Sequence, residues 1–344
     1  MGAPVHPAPL RVGLIGAGWV TQHHLKGWAT LGDAARVVAI ADPSAERAAE
    51  RAAAFGIPAV FASAEAMLEA GGLDAVDIAA PRAVHADLAR LAARHGLPIL
   101  CQKPLAPTLA EAEKLVADIG GQVRLMVHEN WRFRAYYRQA AEWLRAGRIG
   151  RVKAAHLTLV TSGTVPDAHG RLAALERQPF MRDEARMLVA EVLIHHLDTL
   201  RMLLGPLKVE AAALSRTCRE MRGEDGAVIQ LSTAEGAGVS VFASCAAHGA
   251  PTQQAARLAI IGDAGTVWLD GPELRLAGPA PEQLAYDAEA TYLGSYAATI
   301  AHFVDCLASG SPFETSPEDN LETLRLVEDC YRLSGFETAN RSAA

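Results

Sequence analysis

The feature that most constrains this chain is a ten-residue stretch near its start. Residues 12–21 read VGLIGAGWVT. A short apolar run from Leu10 to Ile15, with β-branched members, leads directly into Gly16 and Gly18. Residues with helical spacing follow as far as Leu31. Glycines placed this way let the backbone turn tightly after a strand and approach a pyrophosphate, which then rests on the helix N-terminus beside Trp19 and Val20. Thr21 stands where a third glycine is usual, which sets helix and strand slightly farther apart. A second apolar run, residues 36–41, ends on Asp42, a little beyond the ~20-residue spacing expected of the acid that binds a ribose diol. The competing reading is a glycine turn that binds nothing, with Asp42 capping the next helix. It is the weaker one, because strand, glycines, helix, strand and acid occur in order.

The alternation continues. Ser44 caps an alanine-rich helix that ends before Gly56, and a short extended piece lies near Val60. Residues 75–79 form a strand, residues 85–95 a helix, and residues 98–101 another strand. Thr108 and Glu111 make a capping box for a helix to about Ile119, before a strand at residues 123–127. Continuous apolar strands separated by helices predict an α/β domain with a parallel sheet covered on both faces, over residues 1–125. From residue 126 the pattern changes to an α+β one. Helices are expected over residues 135–146 and 187–204, and a long strand over residues 152–160, with residues 162–182 irregular. Mainly antiparallel strands run from Val209 to Leu276, with hairpin turns at Glu235-Gly236 and residues 262–265. Two closing helices, residues 292–309 and 317–334, are expected to pack back on the first domain.

Charge narrows the function classes. Lys plus Arg number 32 against 39 Asp plus Glu, a net charge of −7, which argues against the basic face that nucleic acid requires. No apolar run approaches the ~18 residues of a membrane span. Residues 1–9 lack the pattern of a signal peptide and read as a short disordered lead. Five dispersed cysteines without a CxxC pair read as reduced thiols of a cytoplasmic protein. The open sheet carries apolar residues on one face and small or apolar ones, such as Phe242, on the other. That predicts a homodimer or homotetramer.

Only five lysines occur, at positions 26, 103, 114, 153 and 208. Lys103 lies in Gln102-Lys103-Pro104, at the end of a strand, where open α/β sheets place ligands. Here the chain resembles the Gfo/Idh/MocA family of sugar and polyol dehydrogenases. Gln102-Lys103-Pro104 is similar to that family's Glu-Lys-Pro, and the glycine motif continues to His24 as the family's often does. Ala79-Ala80-Pro81 followed by His85 is similar to its loop under the nicotinamide ribose. Residues 128–133, HENWRF, are similar to its Asn-Arg-Arg-Phe segment, and residues 191–198, EVLIHHLD, to its Asp-x-Gly-x-His-x-x-Asp helix. The Gln-Lys-Pro and His-Glu-Asn combination resembles a subgroup containing apiose and related aldose dehydrogenases. The resemblance implies a Rossmann domain plus an open mixed sheet used in oligomer contacts, NAD as cofactor and a carbohydrate substrate. Three residues depart from the pattern. Gln102 lacks the charge of Glu, Glu191 is one methylene longer than Asp, and Leu193 replaces Gly.

The chemistry such an enzyme performs needs a base for the hydroxyl proton while hydride leaves for the nicotinamide. Glu191 and His195, four apart, share one helix face, and a carboxylate beside an imidazole fixes its tautomer. The competing reading is an ordinary i,i+4 helix pair, which is common. A metal reading is weaker, since no HExxH or third ligand is present. Asn130, Arg132 and Asp198 complete the expected substrate contacts, with a domain-interface salt bridge as the competing role for Arg132. Two other functions fit the residues less well: glycoside cleavage through transient oxidation and elimination, and a non-catalytic NAD-sensing regulator.

Overall fold

A parallel sheet buried on both faces leaves no strand position for solvent, and the N-terminal third meets that demand. Every residue of Ala75–Ile78, Ile99–Gln102 and Leu125–His128 is buried. The computed structural model describes residues 9–253 and 256–336; the lead expected at the N-terminus lies, Pro9 apart, outside the described residues. The chain divides into two compact units. The first extends to Phe133 and takes in Tyr292–Leu324, and the second runs from Arg134 to Thr291 and resumes at Arg325. The division thus falls after the expected position at residue 126. The reason is packing: Phe133 is buried in the same core as Val12, Leu100 and Met126.

In the first unit, strands β1 (Leu10–Ile15), β2 (Ala35–Ala41), β3 (Ala59–Phe61), β4 (Ala75–Ile78), β5 (Ile99–Gln102) and β6 (Leu125–His128) pair in the order β3-β2-β1-β4-β5-β6, all parallel. Helices α1 (Thr21–Ala29), α2 (Ala45–Phe55), α3 (Ala64–Ala70), α4 (His85–Arg94) and α5 (Leu109–Ile119) connect them. The order reverses between β1 and β4. Crevices at the C-terminal strand ends beside such a reversal are where ligands bind in this architecture.

The second unit opens with α6 (Ala135–Arg145). Its sheet has eight strands: β7 (Val152–Val160), β8 (Leu207–Ser215), β9 (Gly226–Thr233), β10 (Gly238–Ser244), β11 (Arg257–Gly262), β12 (Thr266–Asp270), β13 (Glu273–Ala277) and β14 (Glu282–Ala285). The order is β14-β13-β12-β11-β7-β10-β9-β8, antiparallel except where β7 and β10 run parallel. One face is apolar and buried, through Leu157, Ile229, Val241, Ile260 and Leu269. The segment expected to be irregular contains the short helix α7 (Ala173–Arg177). The helix expected over residues 187–204 is two elements: a π-helical turn, Leu188–Leu193, continued by α8 (Ile194–Leu204). Helices α9 (Ala288–Ser309) and α10 (Pro317–Ser334) close the chain. From α9, Ile300, Phe303 and Cys306 enter the core of the first unit. The close approach needs Gly27 of α1, where a Cβ would stand 2.7 Å from the Ile300 side chain and 3.2 Å from backbone of α9.

Candidate active site

The glycine loop is shaped by two different demands. Gly16 is buried at φ +109°, and a Cβ there would lie 2.4 Å from the Ala79 carbonyl oxygen, so no other residue fits. Gly18 faces open space with nothing within 4 Å of its Cβ position. Thr21, in the place of the third glycine, is buried, and its hydroxyl donates to the Gly16 carbonyl at 3.3 Å. The helix that follows is uncapped. Val20 supplies no side-chain hydrogen bond to the N-terminus of α1, and no acid occupies its first turn. Ser44, Ser63 and Thr108 cap α2, α3 and α5 instead. An uncapped N-terminus behind an open glycine is what a pyrophosphate needs.

Asp42, just past β2, binds the underside of this loop. Its Oδ2 accepts from the Ala17 backbone at 2.7 Å, and its Oδ1 from the Ser44 backbone at 2.8 Å and the Arg47 guanidinium at 3.1 Å. Burial raises the carboxyl pKa, but the Ser44 and Ala17 N–H groups and Arg47 outweigh it and hold the group below the usual carboxylate range. Asp42 is therefore an anchored anion beside the loop, fit to take ribose hydroxyls. Trp19 is 58% exposed on the loop.

The remaining first-unit residues gather at the C-terminal ends of β4, β5 and β6. Ala80 and Pro81 follow β4. The His85 ring bridges two loops, with Nδ1 at 2.7 Å from the Pro104 carbonyl and Nε2 at 2.8 Å from that of Ala80. Lys103 is half-buried just past β5, and the Lys103–Pro104 peptide is cis. Gln102 is buried. Its amide oxygen accepts from the Lys103 backbone at 2.8 Å, and its nitrogen faces His24 Nε2 at 3.1 Å. Asn130 and Arg132, expected to bind substrate, are buried with partners inside their own unit. Asn130 donates to Ser295 at 2.7 Å, and Arg132 to Asp319 at 2.7 Å and to the Glu314 carbonyl at 3.3 Å. Both side chains thus have partners within the first unit, and the ion pair of Arg132 with Asp319 lies inside that unit.

In the second unit, Glu191 is half-buried in the π-turn, while His195 and Asp198 are buried in α8. The wider turn changes the argument from spacing. An i,i+4 pair shares one face of an α-helix, whereas Glu191 sits in a segment of different pitch. The turn is capped from a distance. Buried Glu224 accepts from the Met187 and Val189 backbones, at 3.2 and 2.9 Å, and from the Tyr331 hydroxyl at 2.5 Å. Sequence reasoning missed Glu224. It also missed Asp77, a lone acid in the apolar strand β4, although a charge inside such a strand demands partners. His196 is packed inside the unit: its Nδ1 lies 3.1 Å from the Val192 carbonyl, and burial lowers its pKa to about 3.

A doubly wound sheet with this loop, this acid and an appended mixed-sheet unit defines an NAD-dependent oxidoreductase. The description "Oxidoreductase family, NAD-binding Rossmann fold" matches residues 10–127, and "GFO/IDH/MocA C-terminal domain" matches residues 137–268. The chain belongs to the Gfo/Idh/MocA family. It is 34% identical to a D-apiose dehydrogenase of Paraburkholderia graminis, over 92% of this chain and 86% of that protein. A D-apiose dehydrogenase of Rhizobium rhizogenes is 30% identical over 94% of both. Among solved structures, an oxidoreductase from Agrobacterium radiobacter in complex with NAD+, L-tartaric acid and magnesium superposes with a TM-score of 0.87, at 29% identity over 95% of this chain and 96% of that one. The protein is accordingly an NAD-dependent dehydrogenase that oxidises a sugar or polyol hydroxyl by hydride transfer.

Proposed function

We propose that the substrate is a free aldose, with D-apiose the first candidate. The observation that carries this is the likeness to two D-apiose dehydrogenases across more than nine-tenths of the chain. The Gln102-Lys103-Pro104 and His128-Glu129-Asn130 segments support it.

In this reading Gly16, Gly18, Trp19, Val20, Asp42, Ala80, Pro81, His85, Gln102 and Lys103 hold the dinucleotide. When bound, NAD supplies the acceptor for the hydride that leaves the substrate carbon. Lys103 donates a hydrogen bond to the reacting oxygen and stabilises the negative charge that develops there. His195 takes the proton of that hydroxyl, so the C–O bond becomes a carbonyl as C–H and O–H are lost. Glu191 orients the His195 ring, and Asp198 contributes to the sugar site.

The open face of the second sheet supports self-association. Val228, Phe242, Ile261 and Trp268 are each more than 40% exposed on it. We propose that a second copy covers this face, giving a dimer or tetramer. Among the described residues no helix is long and apolar enough to cross a membrane. The five unpaired cysteines support a cytoplasmic location.

The test is NADH formation on a panel of free aldoses, aldonates and inositols. Turnover of an aldose supports the proposal. Cleavage of a glycoside without net NADH, or NAD binding without turnover on the panel, overturns it. On the active substrate, His195→Ala and Lys103→Ala should each lower kcat by about 10²–10⁴-fold while NAD still binds. The double variant should fall little below the poorer single, because groups acting as one unit are not additive.

A further inference from the structure

We propose that Asp77, His24 and Gln102 form a buried positioning relay whose hydrogen-bond direction sets the conformation of Lys103; this rests on Lys103 acting at the reacting oxygen.

The direction is fixed at one end by a donor that cannot turn. The backbone N–H of Lys103 donates to Gln102 Oε1 at 2.8 Å. The amide nitrogen of Gln102 therefore points the other way, to His24 Nε2 at 3.1 Å. A nitrogen that faces an NH2 group must offer a lone pair, so the ring hydrogen sits on Nδ1. That atom lies 2.9 and 3.1 Å from the two carboxylate oxygens of Asp77. Asp77 Oδ2 also accepts from the Trp28 indole at 2.7 Å. Each donor thus meets an acceptor from β4 through α1 to the end of β5.

Burial makes this arrangement exacting. Asp77 and His24 are wholly buried, Trp28 is 2% exposed and Gln102 8%. Reversing one member leaves two donors or two acceptors face to face without water to relieve them. The groups that face His24 come from several elements. Asp77 lies on β4 and the neutral Gln102 on β5. The His128 ring of β6 stacks at 4.1 Å, and the Tyr296 ring of α9 stands at 5.6 Å. His23 is its neighbour on α1. Asp77 is the only carboxylate among these, which is why the ring hydrogen is held at Nδ1.

A relay of fixed direction predicts a particular response to protons. Adding one to His24 Nε2 sets two donors against each other. The Gln102 amide must turn over, and the Lys103 N–H loses its acceptor. Turnover of the natural enzyme should therefore fall on the acid side. Gln102→Glu inverts this. Carboxylates then flank the ring on both sides, so it holds two hydrogens. Losing one at alkaline pH sets a lone pair against a carboxylate.

The experiment has a structural and a kinetic arm, both on the full chain. Spectra of 15N-labelled histidine rings, with the His24 signals identified by their loss in His24→Asn, should show at neutral pH one protonated and one bare nitrogen in the natural protein. They should show two protonated nitrogens in Gln102→Glu. Two protonated nitrogens in the natural protein, or a hydrogen on Nε2 alone, overturns the relay. In kinetics on the aldose that forms NADH fastest, Gln102→Met removes both bonds and should lower kcat about 10- to 100-fold, with KM moving less. Beyond the acid-side loss that both owe to His195, the kcat–pH profile of Gln102→Glu should keep more activity on the acid side and lose more on the alkaline side than that of the natural enzyme. Superimposable profiles, or normal kcat in Gln102→Met, also overturn it. Should Lys103→Ala retain full turnover while the ring pattern holds, the assignment of Lys103 fails and the direction of the relay stands.

Discussion

Asp42 accepts three hydrogen bonds from its own chain, one on Oδ2 and two on Oδ1, and the Arg47 guanidinium that supplies one of them is 60% exposed. With Asp42 at the ribose, as proposed above, the pair sets cofactor choice by charge. An anchored carboxylate repels a 2′-phosphate, and the cation that could welcome one is tied to it. Asp42→Ala should free Arg47 and raise the NADP-to-NAD ratio of kcat/KM by about 10- to 100-fold, the worth of one hydrogen bond to a charged group. Adding Arg47→Ala should remove the gain; a ratio indifferent to Arg47 would assign the effect elsewhere. Residues of this kind were legible in the sequence, because Gly16, Gly18, Asp42 and Lys103 derive their meaning from neighbours a few positions away. The relay was not. His24 meets an acid 53 positions on and an amide 78 positions on. Only the isolated acid within β4 hinted that such partners exist. Arg132 illustrates the same limit. Its type was readable, but Asp319 as its partner was not.

The segment carrying Glu191 shows what periodicity resolves at the scale of an element. Over one turn, pitches of π and α type place apolar residues almost alike, so residues 187–204 read as a single α-helix. The cap of that first turn is lodged elsewhere: Glu224 accepts from the Met187 and Val189 backbone N–H groups at its start. Glu224→Ala would leave those donors and the Tyr331 hydroxyl buried without an acceptor. It should cost about 2–4 kcal/mol in urea unfolding and lower kcat as Glu191 shifts. Glu224→Gln retains one oxygen and should fall between. An alanine variant as stable as the natural protein would show that the turn holds itself. Strands were easier to read than this turn. The hairpins at Gly236 and at residues 262–265 appear where glycine placed them, whereas the parallel pairing of β7 with β10 joins strands far apart in sequence.

For the whole molecule, the exposed sheet face and buried histidines lead to separate expectations. Trp268→Glu, at 42% exposure on the open face, should shift sedimentation towards the monomer without loss of helix content. An unchanged oligomer would direct attention to another surface. Stability against acid follows from two rings, one in each unit. Burial, reinforced by the charges of Lys26 and Arg51, lowers His23 to about 4. Burial, with Val192 opposing it, lowers His196 to about 3. Both folded values lie below the 6.5 of a free imidazole, so the folded state favours the neutral ring. Their contribution is complete above about pH 6.5 and is lost as pH falls towards the folded values. At pH 5 the unfolded rings hold a proton and the folded ones do not, which removes about 2 kcal/mol through His196, a ring with 1% exposure. Ordinary carboxylates titrate lower, so histidines govern the interval between pH 7 and 5. His196→Asn keeps a donor for the Val192 carbonyl and does not titrate. His23→Phe suits the surrounding Trp19, Tyr292 and Tyr296 rings. Calorimetry should show Tm of the natural protein falling by about 4–8 °C over that interval. The double variant should show a clearly smaller fall. Equal slopes would mean that neither ring is protonated on unfolding in this range, and that the acid response belongs to other groups.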